Sequence, residues 1–294
     1  MNREEVRAHL RANVTRNVEK ENEREIRVMS SNVLFGGWKN GIPEGLTYQE
    51  RAMILTEYYL HYKPDFLGLQ EMEPTIHAEI VKNLEDEYAI PPTDYYYGKP
   101  IQTPTMYRKA DWEPLKTGIH RFRLGWCWQY HWCLYQSKKD PEVRVLHMNF
   151  HYPPGEMPYV ESRCEAVVEL NAALRQLLEE YPNVPLFLSG DYNVTVGMAE
   201  YHGTFAQGVK MQSGMLLTED HDGYGCACHQ VGVMPGMGGK AIDHISVTED
   251  TVTVKRHRII CDEVVIFGSD HCPIFLDVEL KREPQTQNKK ESEE

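Results

Sequence analysis

The sequence predicts an α/β fold in which two β-sheets pack together as a sandwich and helices flank them. Three observations favour this class. Strand-like apolar runs occur in both halves of the chain, few helical patterns separate them, and several runs end in a polar side chain. No linker or internal repeat divides the 294 residues, so we expect one large domain over residues 26–280.

The elements are predicted from local patterns along the chain. Residues 1–25 predict a helical lead-in, because Val6, Leu10 and Val14 recur at a spacing of four among mixed charges. The elements that follow are, in order, a strand at 26–34, a helix at 48–62, a strand at 65–70, a helix at 74–84, loops and antiparallel strands at 91–135, a strand at 143–150, a helix at 158–181, and strands at 186–189 and 273–280. Residues 281–294 contain no apolar side chain and predict a disordered tail.

Residue periodicity supports several of these assignments. In the helix at 48–62, Ala52, Leu55 and Tyr59 share one stripe. The helix at 158–181 carries an apolar series at helical spacing: Cys164, Val167, Leu174, Leu178 and Tyr181. The strand at 273–280 alternates, with these residues on one face: Ile274, Leu276, Val278 and Leu280.

Four apolar runs lead into a carboxylate, amide or imidazole. They precede Asn32, Glu71, the pair Asp191 and Asn193 in G-D-Y-N, and the pair Asp270 and His271 in S-D-H. A polar residue at the end of a strand emerges at the rim of its sheet, where several such ends can meet in one crevice. Hard oxygen ligands beside a proton-transfer group suit a magnesium-assisted attack of water on phosphorus.

Two further stretches add to this pattern. Alternation in V-R-V-L-H-M-N-F-H places four side chains on one face: Val145, His147, Asn149 and His151. In A-I-D-H-I-S-V, Asp243 heads an apolar face that continues with Ile245 and Val247. We interpret His147 and His244 as core or supporting residues, because a single histidine in an apolar strand usually fills such a position.

With these motifs in this order, the chain resembles the endonuclease/exonuclease/phosphatase superfamily, which includes deoxyribonuclease I, abasic-site endonucleases, deadenylases, inositol-polyphosphate phosphatases and bacterial sphingomyelinases. The resemblance covers about residues 26–280, and its most specific part is the combination of G-D-Y-N, I-D-H-I and S-D-H-C-P. It implies a four-layer, deoxyribonuclease I-like α/β sandwich and a Mg²⁺ or Mn²⁺ cofactor.

The resemblance also implies a metal site. Glu71 corresponds to the principal metal carboxylate, and Asn32 to a residue beside it that binds the metal directly or contacts one of its ligands. Asp270 corresponds to an aspartate near the metal. His151 corresponds to the histidine of N-x-H that contacts the scissile phosphate and stabilises its developing charge.

The remaining implied residues concern the attacking water. Asp191 and Asn193 correspond to the pair that positions this water and binds a phosphate oxygen. His271 corresponds to the general base or to an imidazole that polarises the phosphate, and Asp243 would orient it as a carboxylate orients the histidine of a catalytic triad.

The sequence leaves the substrate open. His244 stands in I-D-H-I where many members of the superfamily carry an aromatic residue, which puts the substrate subclass in question. The alternatives are a small-molecule phosphatase, a nuclease and a sphingomyelinase-like lipid phosphodiesterase. A non-enzymatic alternative is a binding module of the same fold that has lost its activity. That alternative would be favoured by a broken ligand set, and here the set is whole.

Charge distinguishes among the enzymatic alternatives. The net charge is −13, and residues 26–280 carry all of it, with 21 basic and 34 acidic side chains. Proteins that bind long nucleic acids usually present Lys and Arg to many phosphates. We therefore expect a compact phosphoester substrate in preference to a nucleic acid, and the sequence shows no sign of an obligate protein partner.

Composition also bears on the compartment. No apolar run approaches membrane-spanning length, and the segment after Met1 lacks the apolar stretch of a signal peptide. The seven cysteines form no regular framework, which favours a reducing compartment. We expect a cytoplasmic location.

Two other clusters call for an interpretation. Trp126, Trp128, Tyr130 and Trp132 share one strand face, which suits packing against the partner sheet better than stacking of bases or insertion into lipid. The second cluster contains His221, Cys226, Cys228 and His229. Its cysteine spacing is not typical of a zinc site, and we expect residues 221–239 to form a loop over the active site.

Overall fold

Two six-stranded sheets form the centre of the molecule in a computed structural model that describes residues 1–281 apart from 17, 23, 94–100, 125–127, 156–157, 224–227 and 236–239. The first sheet contains β1 (Glu25–Asn32), β2 (Phe66–Gln70), β3 (Tyr88–Ala89), β4 (Thr105–Arg108), β11 (Val252–Ile259) and β12 (Ile274–Leu280). The second contains β5 (Trp112–Arg121), β6 (Gln129–Ser137), β7 (Arg144–His151), β8 (Leu186–Asp191), β9 (Met211–Ser213) and β10 (Asp243–Thr248).

The strand order brings the ends of several strands to one rim of each sheet. The orders are β11-β12-β1-β2-β4-β3 and β5-β6-β7-β8-β10-β9. In each sheet two neighbouring strands are parallel, β1 with β2 and β7 with β8, so their carboxyl ends coincide. The antiparallel neighbours β12 and β10 begin at that same rim.

Helices cover the outer face of each sheet. They are α1 (Arg3–Asn13), α2 (Tyr48–Tyr62), α3 (Pro74–Leu84), α4 (Val160–Glu180) and the short α5 (Ala199–Thr204), and two 3-10 turns span Gly214–Leu217 and Val265–Phe267. One buried cluster joins the first sheet to α1, α2 and α3, a second joins the second sheet to α4 and α5, and a third fills the space between the sheets. The predicted four-layer α/β sandwich is therefore confirmed.

Capping explains why α2 and α3 begin at the predicted residues and why α2 ends at its predicted residue. Thr47 precedes α2 and forms a capping box with Glu50, and Lys63 ends the helix in a left-handed conformation (φ +48°). Glu73 caps α3 through the backbone N–H groups of Thr75 and Ile76, and Pro74 occupies the first helical position. In α2 the predicted stripe of Ala52, Leu55 and Tyr59 is buried.

The strand faces agree with the predicted alternation. Ile274, Leu276 and Val278 of β12 lie in the core between the sheets, together with Val145 of β7 and both Ile245 and Val247 of β10. The stripe predicted for α4 is only partly correct. Val167 and Leu174 are buried, but Cys164 is exposed and the buried face continues instead through Ala166, Leu170 and Leu177.

A polar seam connects the sheets just below the rim. The amide of Asn149 in β7 donates to the Leu69 carbonyl (2.7 Å) and accepts from the Gln70 amide (2.6 Å) in β2. Ser189 donates to the same Asn149 oxygen at 3.1 Å. Gly68 makes this approach possible, because a Cβ at that position would collide with the side-chain oxygens of Ser189 and Asn149.

The aromatic face of the β6 segment was predicted to pack against the partner sheet, and this prediction is wrong. Trp128, Tyr130 and Trp132 of the β6 segment pack outward with the cluster beneath α4, and not against the partner sheet; Trp126 lies outside the described residues. The opposite face of β6, which includes His131, Cys133 and Tyr135, points toward the partner sheet instead. The side chains of β6 alternate between two faces as predicted. Alternation alone does not show which face packs against the partner sheet, because helices cover the other face of the sheet.

The described residues at the two ends of the chain pack against the sandwich. Helix α1 buries Val6 and Leu10 in the cluster beneath α2. The expected tail lies outside the described residues except for Lys281, whose backbone N–H donates to Thr251 at 2.9 Å. Among the described helices, none combines the length and the apolar character needed to cross a bilayer.

Candidate active site

All eight residues singled out from the sequence lie at the common rim. Asn32, His151 and Asp191 end β1, β7 and β8, Asp243 begins β10, and the others follow or precede strands: Glu71, Asn193, Asp270 and His271. Contacts within this group cross from one sheet to the other. The two halves of the chain therefore contribute to one cleft.

Asn32 connects the halves directly. Its amide nitrogen donates to Glu71 Oε1 at 3.0 Å in the first sheet and to Asp191 Oδ2 at 3.1 Å in the second. Its amide oxygen accepts the Leu34 backbone N–H at 3.0 Å. Because that oxygen is occupied by an N–H donor, the amide nitrogen must face the two carboxylates.

Three residues of this region hold a left-handed backbone that L-amino acids rarely adopt. They are Leu34 (φ +55°), Glu71 (φ +63°) and Asn193 (φ +51°). This conformation is uncommon in residues other than glycine, and the residues that adopt it cluster at functional sites. At Glu71 this conformation accompanies a second carboxylate contact, because Oε2 accepts the Phe35 backbone N–H at 2.8 Å.

His271 and Asp243 form a buried pair. His271 Nδ1 donates to Asp243 Oδ2 at 2.9 Å, which leaves Nε2 directed to the rim, 3.9 Å from Asp191 Oδ2. Burial by itself lowers the pKa of His271, but Asp243, the Cys228 side chain and Asp191 together raise it well above its usual value. The imidazole is therefore held as a cation that can donate from Nε2.

The second sheet supplies a cluster of donors next to this pair. The Asn193 backbone N–H donates to Asp191 Oδ1 at 2.8 Å, and its side-chain amide donates to the Tyr152 carbonyl at 2.9 Å and lies 3.2 Å from His151 Nε2. His151 Nε2 is also 3.5 Å from Asp191 Oδ2. Asp191 thus lies at the centre, within 4 Å of Asn32, His151 and His271.

Carboxylates crowd the part of the rim that faces the first sheet. Burial raises the pKa of Asp270; His271 opposes this effect, and repulsion from Glu71 and Asp191 adds to it. Oxygen donors that repel one another match a hard divalent cation, which would relieve the repulsion. Glu71 and Asp270 offer carboxylate oxygens of this kind, whereas Asn32 turns its amide nitrogen toward Glu71 and Asp191. Asp191, Asp243 and His271 also bring ligand atoms within 4.8 Å of one another.

Some contacts of the site were not predicted. Ser269 donates to the Asn32 carbonyl at 2.7 Å and accepts the His271 backbone N–H at 3.2 Å, so it fixes the segment that carries His271. Arg163 of α4 donates to the Asn193 carbonyl at 3.2 Å. The S-D-H triplet contained the signal for Ser269. Nothing in the local pattern around Arg163 distinguishes it from a surface residue of a helix.

Residues 221–239, which were predicted to form a loop over the site, are described by the structure in part. Cys228 forms an antiparallel bridge with His271, and the His229 backbone N–H donates to the Asp270 carbonyl at 2.6 Å. His221 instead pairs with His257 in β11. Cys226 lies outside the described residues. Cys228 and His229 therefore border the site.

His147 and His244 occupy core positions, as interpreted from the sequence. His147 is fully buried between Thr105 (2.5 Å) and Ser189 (2.8 Å). His244 Nε2 lies 3.0 Å from the Val194 carbonyl, and its ring packs edge-on to Tyr192 and Tyr201. Burial lowers their pKa values to about 3 and about 4, so both are neutral.

Comparison with known proteins adds evidence about the fold. An endonuclease/exonuclease/phosphatase protein from Bacteroides vulgatus is 22% identical, with a TM-score of 0.73 over 87% of this chain and 99% of that one. A mannosyl-6-phosphatase from Bacteroides thetaiotaomicron is 18% identical, with a TM-score of 0.68 over 87% and 100%. D. rerio TDP2, in complex with a single-strand DNA product, is 19% identical, with a TM-score of 0.63 over 87% and 99%. No family model and no curated protein sequence matches the chain.

These similarities define the fold of the chain. It has the deoxyribonuclease I-like fold of endonuclease/exonuclease/phosphatase proteins, over nearly the full length of each solved structure. The resemblance first seen in the sequence motifs is thereby confirmed for the fold, at identities too low for the similarity to carry a particular activity.

Proposed function

We propose that this protein is a divalent-metal-dependent phosphoester hydrolase, with residues 26–280 as its catalytic domain. The observation that carries the proposal is the position of Asp191. This carboxylate accepts a hydrogen bond from the Asn32 amide and lies within 4 Å of His151 and the charged His271, so contacts from both sheets converge on one acidic oxygen. The fold similarity to solved phosphoesterases supports the same reaction class.

The chain's own residues suit direct attack of water on phosphorus. Asp191 would accept a proton from the water, while Asn193 holds its second oxygen in place. His271, kept charged by Asp243, would donate from Nε2 to a phosphoryl oxygen, and His151 would contact another. A Mg²⁺ or Mn²⁺ ion held by Glu71 and Asp270, with Asn32 positioning the Glu71 carboxylate, would supply charge stabilisation of the phosphoryl and leaving oxygens.

We infer a compact substrate rather than a nucleic acid. The domain carries 21 basic and 34 acidic side chains, and a long polyphosphate chain would be repelled by this excess. The fold similarity to a mannosyl-6-phosphatase is in line with a small substrate. The similarity to TDP2 bound to a DNA product favours the alternative, a nuclease or other nucleic-acid phosphodiesterase. The absence of a regular cysteine framework supports a reducing, cytoplasmic location.

A substrate panel tests the proposal. Purified protein with Mg²⁺ or Mn²⁺ is assayed on sugar phosphates, 4-nitrophenyl phosphate, bis(4-nitrophenyl) phosphate, sphingomyelin, and single- and double-stranded oligonucleotides. We expect turnover of a small phosphoester that a chelator abolishes and added metal restores. Asp191→Asn, purified identically, controls for contaminating phosphatases and should be inactive.

Each outcome of the panel has a definite meaning. Turnover that is equal in wild type and Asp191→Asn, or that survives chelation, would reject the proposed function. Oligonucleotide cleavage that exceeds every small-substrate rate and falls with added salt would establish the nuclease alternative. Metal and phosphate binding by calorimetry with no turnover on any substrate would establish the inactive binding module.

A further inference from the structure

Cys261 and Cys272 lie opposite each other where the β11–β12 ladder continues past its ends. The ladder pairs Arg258 with Phe275 and Ile259 with Ile274, and the Ile260 backbone N–H donates to the Pro273 carbonyl at 2.7 Å. The next opposed residues are Cys261 and Cys272. Nothing in the proposed reaction uses either thiol.

The register places this pair at a position suited to a disulfide. Hydrogen-bonded and non-hydrogen-bonded pairs alternate along an antiparallel ladder, and the bond at Ile260 makes the Cys261–Cys272 pair a non-hydrogen-bonded one. Opposed Cα atoms at such positions are about 4.5 Å apart, inside the range of about 4.4–6.8 Å that disulfides span. Cross-linking therefore needs only a small displacement.

The two thiols are already in contact. The Cys272 side chain donates a hydrogen bond to Cys261, and this bond lowers the pKa of the Cys261 thiol in spite of partial burial. Cys272 is only 2% exposed, whereas Cys261 is half-buried. Thiolate character and access together favour Cys261 as the first sulfur to react.

A cavity gives a reagent access to Cys261. A space of about 260 Å³ lies between α1 and the segment after β11, and its lining includes Cys261, His9, Tyr62 and Glu263. The Glu263 side chain is 73% exposed, so the cavity opens to solvent. A small disulfide can therefore approach Cys261 from the side of the molecule that bears α1.

We propose that Cys261 and Cys272 form a redox modification site that closes a reversible disulfide next to the active-site residue His271. The oxidant is a small-molecule disulfide such as oxidised glutathione. The Cys261 thiolate attacks one of its sulfurs and releases one thiol, which gives a mixed disulfide. The Cys272 thiolate then attacks the Cys261 sulfur and releases the second thiol. Two protein thiols are oxidised, and one small disulfide is reduced to two thiols.

The position of Cys272 connects this cross-link to activity. It directly follows His271, whose imidazole depends on a 2.9 Å bond to Asp243. A disulfide draws the two Cβ atoms to about 3.8 Å, whereas opposed residues of an unlinked pair lie about 4.5–5.5 Å apart. A shift near 1 Å at a catalytic group can reduce a rate by about a hundredfold. We expect the disulfide to lower kcat at least about tenfold. This effect rests on the proposed function, whereas formation of the disulfide does not.

The experiment separates the two parts. Full-length reduced protein with Mg²⁺ is incubated with oxidised glutathione, and peptide mapping by mass spectrometry locates the cross-link. Hydrolysis of 4-nitrophenyl phosphate and bis(4-nitrophenyl) phosphate is followed in parallel, before and after treatment with a reductant. We expect one disulfide between Cys261 and Cys272, and loss of activity in step with it that the reductant reverses.

Two variants make the result specific. Cys261→Ser should keep the basal activity and lose the sensitivity to oxidation, whereas Cys164→Ser, which changes an exposed cysteine of α4, should remain as sensitive as the wild type. Failure of residues 261 and 272 to cross-link would overturn the proposal. So would equal inactivation of Cys261→Ser, which would point to Cys228 beside His271, or a complete cross-link with unchanged activity. An inactive reduced protein would instead reject the proposed function, and the peptide map would still decide the cross-link.

Discussion

Asn32 shows how much of the site depends on a single amide. Its nitrogen donates to carboxylates of both sheets, and its oxygen is held by the Leu34 backbone. Only a side chain with a donor and an acceptor at its end can make all three contacts. The residue therefore positions Glu71 and Asp191 relative to each other before any ligand is bound.

Substitution of Asp243 by asparagine tests the charged histidine. The amide would keep the size of the carboxylate but lose the negative charge that raises the pKa of His271. We expect kcat of Asp243→Asn to fall by about 10²–10⁴, in the range seen when a histidine loses its orienting carboxylate. Steady-state kinetics on the best small phosphoester provides the measurement.

Asp250→Asn is the matched control for this variant, because Asp250 is 78% exposed and far from the rim in the β10–β11 turn. Its activity should equal that of the wild type, and thermal melts should show that both variants fold. An Asp243→Asn enzyme within about threefold of wild-type kcat would contradict the assigned role.

At this scale the sequence predicted residue identity better than conformation. The eight rim residues were recognisable because polar side chains at strand ends and the motif order both mark them. The left-handed backbone of Glu71 and the double donation by Asn32 were not recognisable. Both depend on contacts between segments more than 30 residues apart, which no local pattern encodes.

Among the elements, β2 and β7 have an unusual junction. They belong to different sheets, yet Gln70 of β2 and Asn149 of β7 form a buried polar contact beside Gly68, and Ser189 of β8 joins it. Buried hydrogen bonds depend on geometry far more than apolar contacts do. The seam therefore fixes the distance between the sheets immediately below the rim that carries the eight candidate site residues.

Gly68→Ala should show this dependence. The added methyl group must displace the Ser189 and Asn149 side chains or push the sheets apart, and overpacking of this kind costs about 1–3 kcal/mol. Urea unfolding should show a lower free energy of unfolding by this amount, together with reduced activity. Gly197→Ala is the control, since a Cβ there meets no atom within 4 Å. If the two variants have the same stability, the seam does not limit the sheet spacing.

Element boundaries were predictable where the sequence carries helix-capping residues. Thr47, Glu50 and Pro74 fixed the two helices that were predicted to the residue. The strands between residues 88 and 137 fall mostly in the stretch 91–135, which was predicted only as loops and antiparallel strands, since β5 exposes much of its length and has no clean alternation. The buried face of α4 was predicted only in part. Cysteine is usually buried, so Cys164 was assigned to the core face, but it is exposed.

Across the whole molecule, four buried histidines make stability depend on pH. Burial lowers the pKa of His131, His147 and His257 to about 3 and that of His244 to about 4. In the unfolded chain each has its ordinary value near 6.5. Below that pH the unfolded state binds protons that the folded state cannot, so stability decreases as the pH falls.

The expected loss between pH 6.5 and pH 5.5 is about 1 kcal/mol for each of these histidines. His271 partly offsets this loss, because its raised pKa keeps it protonated in the folded state at both pH values, whereas the unfolded chain takes up its proton across this window. Urea unfolding at the two pH values provides the measurement. His244→Phe, which keeps the aromatic contacts with Tyr192 and Tyr201, should reduce the difference by about a quarter. A free energy of unfolding that is the same at both pH values would show that the histidines titrate freely.

The position of β12 has a consequence for how the protein is made. This strand lies between β1 and β11, and its register pairs Ile26 with Val278, residues 252 positions apart. A ribosome must therefore synthesise the chain through residue 280 before β1 can pair with β12 and His271 can reach the rim. Until then the nascent polypeptide carries Asn32 and Glu71 with one edge of β1 unpaired, so chaperone protection during translation and the onset of activity should both be governed by emergence of this segment.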